Sequence, residues 1–231
     1  MTRVAIVTGA SGGIGREVAQ RLAKGGLAVL VHYSGNKARA DEAVAQIAEA
    51  GGTASAFQAD IAVETQMTAL FDEVERRYGG VDVVVNTAGI MLLSPLADLN
   101  LDDLDRMHRT NIRGTFVVSQ LAARRVRQGG AIINFSTTVT KLAVPGYTAY
   151  AASKGAVDAM TLILAKEMRG RDVTVNAVAP GPTATPLYFN GKPQEVIDAA
   201  AKASPLERLG VPADIAEVVA FLAGPARWIN G

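Results

Sequence analysis

The chain has 231 residues, of which 49% are hydrophobic and 19% charged, a composition that excludes disorder and allows one well-buried core. A formal net charge of +1 provides no long-range field to attract nucleic acid or an acidic membrane, and the lack of cysteine excludes disulfides and thiolate chemistry. Because no linker divides the sequence, and no signal peptide or membrane-spanning stretch is evident, we expect one domain over residues 1–231 of a soluble, cytoplasmic protein.

Short β-branched runs alternate along the chain with segments whose apolar residues recur at helical spacing. This alternation is typical of parallel strands joined by right-handed helical crossovers, and it predicts a doubly wound α/β fold of the Rossmann type with three α/β/α layers. We place the strands at 4–8, 28–32, 54–58, 81–86, 131–136 and 173–179. We place the helices near 14–24, 38–50, 63–78, 102–127, 150–169, 193–203 and 212–223.

Four glycines, Gly9, Gly12, Gly13 and Gly15, follow the first strand and open the first helix. They would let the backbone approach a pyrophosphate while the free N–H groups of the helix point at it. The alternative is that they serve only a tight turn. Their spacing fits both Gly-x-x-x-Gly-x-Gly and Gly-x-x-Gly-x-x-Gly, so the turn alone does not identify a subfamily.

Tyr150 and Lys154 are four residues apart at the start of a helical pattern and therefore share one face of the helix. A phenol has a reference pKa of about 10, and a neighbouring ammonium is expected to lower it by roughly 1–3 units. We therefore expect Lys154 to lower the pKa of Tyr150 toward the range useful for proton transfer to a carbonyl oxygen. Together with the glycine-rich turn, the pair indicates a nucleotide-dependent redox enzyme.

These features resemble the short-chain dehydrogenase/reductase family, and the resemblance covers essentially the whole chain. One position departs from it, because Thr87 stands where the family usually has the second asparagine of Asn-Asn-Ala-Gly. The stretches that match the family are 8–15, 60–61, 86–89, 111–114, 150–154 and 180–181.

The resemblance implies that Tyr150 protonates the carbonyl oxygen and that Lys154 binds the nicotinamide ribose. It also implies that Asn111 kinks its helix and holds a water. The family's catalytic hydroxyl falls on Thr137, thirteen residues before Tyr150, where serine is usual. Ser136 is the alternative, but adjacent strand residues face opposite sides, and we assign Thr137.

The resemblance also implies a nicotinamide dinucleotide, and we favour NADP over NAD. No acidic residue follows the second strand to bind the ribose 2′-hydroxyl of NAD, and Ser34, Asn36 and Lys37 offer donors or a cation to a phosphate. Against NADP, Gly12 stands where many NADP-using relatives carry arginine. The cofactor-binding residues implied are Gly9, Ser11, Gly12, Gly13, Ile14, Gly15, His32, Tyr33, Ser34, Lys37, Asp60, Ile61, Asn86, Ala88, Gly89, Tyr150, Lys154, Pro180, Gly181, Thr183 and Thr185.

The predicted activity is therefore NADP(H)-dependent reduction of a ketone or aldehyde, and the pattern resembles both 3-oxoacyl-[acyl-carrier-protein] reductases and NADPH-dependent aldehyde reductases. We expect mostly apolar substrate walls from residues 91–93 and 139–144, Tyr147 and the 182–192 loop. The stretch 180–192, which has no clear element, we interpret as a substrate-covering loop rather than a plain connection. Because His32 and His108 are isolated, we predict no metal site.

One other function remains as an alternative, because threonine in place of serine allows a dinucleotide-binding regulator without catalysis. A nucleotide-sugar epimerase would need a further substrate domain, for which we expect no room in 231 residues. The resemblance also implies a homotetramer or homodimer built on the helices near 102–127 and 150–169. Family members usually continue beyond residues 228–231 into a final edge strand, which we expect this sequence to lack.

Overall fold

A single six-stranded parallel sheet organises the computed structural model, which describes residues 2–231. The strand order is β3-β2-β1-β4-β5-β6, so the direction of winding reverses between β1 and β4 and leaves a crevice at their carboxyl ends. The predicted doubly wound fold is confirmed. The strands are β1 Val4–Thr8, β2 Ala28–Tyr33, β3 Thr53–Gln58, β4 Val81–Asn86, β5 Val126–Phe135 and β6 Thr174–Val178.

Helices cover both faces of this sheet. Successive residues of β1 point to opposite sides: Val7 joins the core under α1, α2 and α10, and Ile6 joins the core under α3, α5 and α7. Among the described residues, no helix is both long and apolar enough to cross a bilayer. The α-helices are α1 Gly13–Lys24, α2 Lys37–Glu49, α3 Glu64–Tyr78, α4 Leu101–Met107, α5 Thr115–Arg125, α6 Val139–Leu142, α7 Thr148–Glu167, α8 Pro186–Phe189, α9 Gln194–Ala203 and α10 Pro212–Ala223.

The prediction of one continuous helix over 102–127 is wrong at two places. The backbone widens into a π-helical segment, His108–Gly114, between α4 and α5. The helix then ends at Arg125, and β5 begins at Val126, which pairs with Val81. Arg127 therefore lies on a strand, where its Nε donates to Asp82 at 3.0 Å.

Two short helices occur where we expected irregular chain. One is α6, and the other is α8, within the 180–192 loop. Thr185 caps α8 because its Oγ1 accepts a hydrogen bond from the backbone N–H of Tyr188, and Pro186 occupies the first turn. The loop is therefore held in a defined conformation above the strand ends.

The last residues of the chain lie beside the sheet edge. The backbone N–H of Gly231 donates to the Val175 carbonyl at 2.9 Å, and the Val175 N–H donates to Asn230 Oδ1 at 2.7 Å. These contacts cover part of β6 without forming a seventh strand in the described residues.

Candidate active site

A cavity of about 610 Å³ opens at the carboxyl ends of the strands, within the usual size range of small-molecule sites. Its walls come from the turn after β1, the segment after β4, the end of β5, the start of α7 and residues between 180 and 200. The predicted site residues on this wall are Gly9, Ser11, Gly12, Gly13, Ile14, Gly15, Ala88, Gly89, Thr137, Tyr150, Lys154, Pro180, Gly181, Thr183 and Thr185.

The glycine-rich turn is packed too closely for side chains at two positions. Gly9 has φ +66°, and a Cβ there would lie 2.9 Å from the Cα of Ala88. A Cβ on Gly15 would lie 2.5 Å from the carbonyl oxygen of Gly9. Since no side chain caps the N-terminus of α1, its first N–H groups are free to bind an anion, and the turn fits a dinucleotide pyrophosphate.

His32 does not line the cavity, but it is hydrogen-bonded to the glycine-rich turn. Its Nδ1 accepts from the backbone N–H of Gly9 at 3.1 Å, and its Nε2 donates to the carbonyl of Ala59 at 2.9 Å. Burial lowers the pKa of His32 to about 4, so the ring is neutral. We predicted that His32 binds the cofactor. In the structure both of its ring nitrogens are instead hydrogen-bonded to backbone groups of the protein.

The other residues that follow β2 also lie off the cavity wall. Tyr33 is buried, while Ser34 and Lys37 are exposed. The Lys37 ammonium donates to Asp41 at 2.6 Å, one turn along the same helix. None of the three therefore lines the cavity, and their contact with the cofactor stays a prediction.

Arg39, which we did not predict as a site residue, does line the cavity. It lines the cavity from the first turn of α2, and its carbonyl oxygen accepts from Arg16 Nη2 at 3.0 Å. Among the described residues, its guanidinium has no hydrogen-bond or ion-pair partner. The sequence shows that Arg39 lies one helical turn after Asn36, the residue that caps α2. Only the packing of α2 shows that this turn faces the cavity.

Three further predicted residues brace the site from behind. Asn86 accepts a hydrogen bond from the Thr8 hydroxyl at 2.8 Å. The Asp60 carboxylate accepts from the N–H of Ala62 and from Arg109. Ile61 is buried and packs against the backbone beside the π-helical segment. The structure does not bring Asn86, Asp60 or Ile61 to the wall.

Thr137 and Tyr150 lie close to each other on the cavity wall. Burial and the neighbouring Tyr147 raise the pKa of Tyr150 to about 12, and the nearby Thr137 hydroxyl opposes them. The expectation that Lys154 lowers this pKa below its ordinary value is wrong, because burial of the phenol is the dominant effect. The Lys154 Nζ is also 6.0 Å from the centre of the Tyr150 ring.

Lys154 is buried, and its Nζ donates to the carbonyl oxygen of Phe135 at 2.8 Å. Burial lowers the pKa of Lys154 to about 8, against the opposing effect of Asp158. Gly89 keeps the space in front of the ammonium open, since a Cβ there would lie 3.4 Å from Nζ. The remaining N–H groups of Lys154 are thus available to a ligand in the cavity.

Asn111 lies in the π-helical segment and is fully buried. Its Oδ1 accepts from the N–H of Ile90 at 2.9 Å, and its Nδ2 donates to the Ile90 carbonyl at 2.9 Å and to Ser153 Oγ at 3.1 Å. The amide therefore fixes the segment after β4 against α7. The structure does not place Asn111 on the wall itself.

Ser136 and Thr137 both line the cavity, because β5 ends at Phe135 and the alternation of a strand does not apply to them. The reason we gave for separating them is therefore wrong. What distinguishes them is Tyr150, because the Thr137 hydroxyl acts on the pKa of this phenol, whereas the Ser136 Oγ is buried without a partner and has no such effect.

The end of the cavity beyond Tyr150 is mainly apolar. Each wall that we predicted contributes residues to the cavity. The members of those stretches that do not line it are Leu92, Leu93, Thr140, Lys141, Ala143, Ala184, Phe189, Asn190 and Gly191. The described residues contain no group of three or more His, Cys, Asp or Glu placed to hold a metal ion. The residues that do line this end include Met91, Val139, Leu142, Val144, Tyr147, Leu187, Tyr188 and Lys192.

Comparison with known proteins agrees with this geometry. A family model described as enoyl-(acyl carrier protein) reductase matches residues 9–231, and a short-chain type dehydrogenase/reductase of Picea abies is 44% identical over 99% of this chain and 88% of its own. The chain is a short-chain dehydrogenase/reductase. The predicted family is confirmed.

Two further relatives of this dehydrogenase/reductase have informative names. An NADPH-dependent aldehyde reductase-like protein of Arabidopsis thaliana is 39% identical over 99% of this chain and 90% of its own. A solved short-chain dehydrogenase from Burkholderia cenocepacia, in complex with NADP, superposes with a TM-score of 0.92 at 38% identity, covering 99% of this chain and 93% of the other.

Proposed function

We propose that this short-chain dehydrogenase/reductase is an NADP(H)-dependent carbonyl reductase that converts an aldehyde or ketone to an alcohol, with Tyr150 as the proton donor. One observation carries the proposal: Thr137, Tyr150 and Lys154 line the same cavity as the glycine-rich turn. The proton donor Tyr150 and the turn that would bind the dinucleotide therefore face the same cavity.

The protonation state of Tyr150 and the position of the Thr137 hydroxyl both favour reduction of a carbonyl group. Tyr150, with a pKa of about 12, is protonated near neutral pH, which is the state that a general acid requires. The Thr137 hydroxyl lies beside this phenol and can donate a hydrogen bond to the carbonyl oxygen as negative charge develops there. When bound, NADPH would supply the hydride for the carbonyl carbon.

Lys154 and Asn111 hold this arrangement in place. The Phe135 carbonyl fixes the Lys154 ammonium by one hydrogen bond, and its other N–H groups would bind the nicotinamide ribose. Asn111 accepts a hydrogen bond from the Ile90 N–H and so holds the segment that carries Gly89. Because Gly89 has no side chain, there is room for the ribose in front of Lys154. We propose no direct contact of Asn111 with the substrate.

Arg39 supports the choice of NADP over NAD. It brings a guanidinium without a described partner to the cavity wall beside the turn that fits the pyrophosphate, and a planar guanidinium is well suited to a phosphate. An acidic residue, which would favour NAD, is absent from the described cavity wall. The Burkholderia relative was solved with NADP, and the Arabidopsis relative is named for NADPH.

For the substrate, we favour a small or medium aldehyde or ketone over a 3-oxoacyl thioester. The apolar walls suit a hydrophobic body, and the Arabidopsis relative is named as an aldehyde reductase. The test is oxidation of NADPH or NADH with a panel of aldehydes, ketones, sugars and β-ketothioesters. Binding of NADPH without turnover on any of them would instead favour the non-catalytic regulator.

We also propose that the enzyme is cytoplasmic and self-associates as a homotetramer or homodimer. Phe116 on α5 and Leu162 and Ile163 on α7 are more than half exposed, at 51%, 55% and 60%, and apolar side chains of this size gain free energy when another surface covers them. Size-exclusion chromatography with light scattering tests the assembly. A monomer at micromolar concentration would contradict it.

A further inference from the structure

The described cavity wall carries three cationic side chains, Arg39, Lys154 and Lys192, and no Asp or Glu. Two of these cations have a role in the proposed function, since Arg39 would bind the cofactor 2′-phosphate and Lys154 the nicotinamide ribose. Lys192 lies at the other end, among the apolar residues that would contact the substrate. Its charge is not accounted for by the cofactor.

The side chain of Lys192 is held in a defined position by α8 and two aromatic rings. Its Nζ donates to the carbonyl oxygen of Tyr188 at 2.9 Å and lies 4.5 Å from the centre of the Tyr188 ring. The same Nζ is 5.8 Å from the centre of the Tyr147 ring. Burial lowers the pKa of Lys192 below its ordinary value. Ring faces attract cations, so both rings oppose this effect and favour the charged ammonium.

No described carboxylate neutralises this ammonium, because none of the ion pairs includes Lys192. The two phenols do not supply an anion either. Burial raises the pKa of both Tyr147 and Tyr188 above the ordinary value, so both hydroxyls are neutral near pH 7. A partly buried cation without a counter-ion is a strong site for an anionic ligand group.

The position of Lys192 relative to the proton donor sets where that anionic group would lie. The ring of Tyr147 packs edge-on against Tyr150, with centroids 6.4 Å apart, and its other neighbour is Lys192. A substrate with its carbonyl oxygen at Tyr150 would therefore extend along Tyr147 toward Lys192. Tyr147 lies between the two groups, since its ring centre is 6.4 Å from that of Tyr150 and 5.8 Å from the Lys192 ammonium.

We propose that Lys192 recognises a carboxylate on the substrate, and that the enzyme acts on oxo or formyl carboxylic acids with an apolar body between the carbonyl and the carboxylate. This inference rests on the proposed carbonyl reductase function. The competing explanation is structural: Lys192 would only bind the Tyr188 carbonyl at the end of α8. The two explanations differ in whether the loss of the charge affects only acidic substrates.

A matched pair of aldehydes separates them, namely 4-formylbenzoate and its methyl ester, each measured with NADPH. We expect the wild type to prefer the acid, and Lys192→Gln to lower kcat/KM for the acid by about tenfold or more, mainly through KM, with little change for the ester. Lys192→Arg should keep most of the preference. Lys202→Gln, which removes an exposed lysine on α9 away from the cavity, should leave both substrates unaffected.

An equal loss on both aldehydes in Lys192→Gln, or no preference for the acid in the wild type, would overturn the role of Lys192 and leave the reductase proposal intact. A wild type that reduces neither aldehyde nor any compound of the wider panel would contradict the reductase function instead. Calorimetric binding of benzoate and benzamide to the NADP-saturated protein then still tests Lys192. Weaker binding of benzoate alone in Lys192→Gln supports the role, and equal or undetectable binding in both proteins refutes it.

Discussion

The Lys154 ammonium donates its hydrogen bond to the Phe135 carbonyl oxygen at 2.8 Å, and its Nζ is 6.0 Å from the centre of the Tyr150 ring. Lys154 is therefore an anchored donor at the floor of the cavity, and burial determines the pKa of both residues. Burial raises the pKa of Tyr150 to about 12 and lowers that of Lys154 to about 8.

The first prediction concerns pH. The Lys154 ammonium is present below its pKa of about 8 and is lost as the pH rises through that value, whereas Tyr150 stays protonated up to a pH of about 12. Reductive kcat/KM, which reports the free enzyme, should therefore fall as the pH rises through about 8. In Lys154→Arg the fall should move to higher pH, because a guanidinium keeps its proton. A flat profile to pH 10, or an unshifted fall in Lys154→Arg, would contradict this assignment.

The second prediction separates the two adjacent hydroxyls. Thr137→Ala removes the hydroxyl beside Tyr150 and should lower reductive kcat by roughly 100-fold or more, as does loss of a donor to a developing oxyanion. Thr137→Ser keeps the hydroxyl and should retain most activity, and Ser136→Ala should have a small effect. If Ser136→Ala abolishes turnover and Thr137→Ala does not, Ser136 is the catalytic hydroxyl.

The third prediction concerns cofactor preference. Arg39→Gln should weaken binding of NADPH by about tenfold and leave NADH unaffected, since a charged hydrogen bond to phosphate is lost. Lys37→Gln is the matched control, because that ammonium is bonded to Asp41 off the cavity wall. The readout is the dissociation constant from fluorescence titration.

A second substitution, at Gly12, is expected to restore the NADPH binding that Arg39→Gln loses. Its φ of −174° is extended backbone that any residue adopts, and a Cβ there would have nothing within 4 Å. Adding Gly12→Arg to Arg39→Gln should therefore restore tight NADPH binding. Equal losses for NADPH and NADH in Arg39→Gln would show that Arg39 has no contact with the 2′-phosphate.

The fourth prediction concerns the turn itself. A Cβ on Gly15 would lie 2.5 Å from the Gly9 carbonyl oxygen and 2.6 Å from Thr87 Oγ1. Gly15→Ala should cost roughly 1–3 kcal/mol of folding free energy, lower the Tm by several degrees and weaken NADPH binding. Gly12→Ala, made where space is open, should change the Tm little. Matching Tm values for the two variants would show that the turn tolerates a side chain at position 15.

The sequence was sufficient for the parts of the site that depend on local spacing. Glycines at a strand end and a Tyr-x-x-x-Lys pair on a helix have their geometry built into the chain, and the alternation of short and long apolar segments predicts the sheet. The π-helical segment His108–Gly114 could not be predicted from spacing, because it keeps the apolar composition of an α-helix and differs only in how the backbone widens. A distortion of the helix at Asn111 was implied by the family resemblance alone.

Properties that depend on burial could not be predicted from spacing. His32 looks like a strand-end residue facing the cofactor, but its ring is enclosed between Gly9 and Ala59. Arg39 looks like a solvated helical arginine, and only the packing of α2 brings it to the cavity. The direction of the Tyr150 pKa shift was misjudged for the same reason, since desolvation of the phenol exceeds the effects of its neighbours.

The most direct test of the central claim is NADPH oxidation by Tyr150→Phe with the best substrate of the panel. This change removes only the hydroxyl oxygen, so NADPH should bind as in the wild type while reductive kcat falls by about 100-fold to 10,000-fold, the usual contribution of a general acid. Wild-type turnover by Tyr150→Phe, with the same cofactor affinity, would show that another group protonates the substrate.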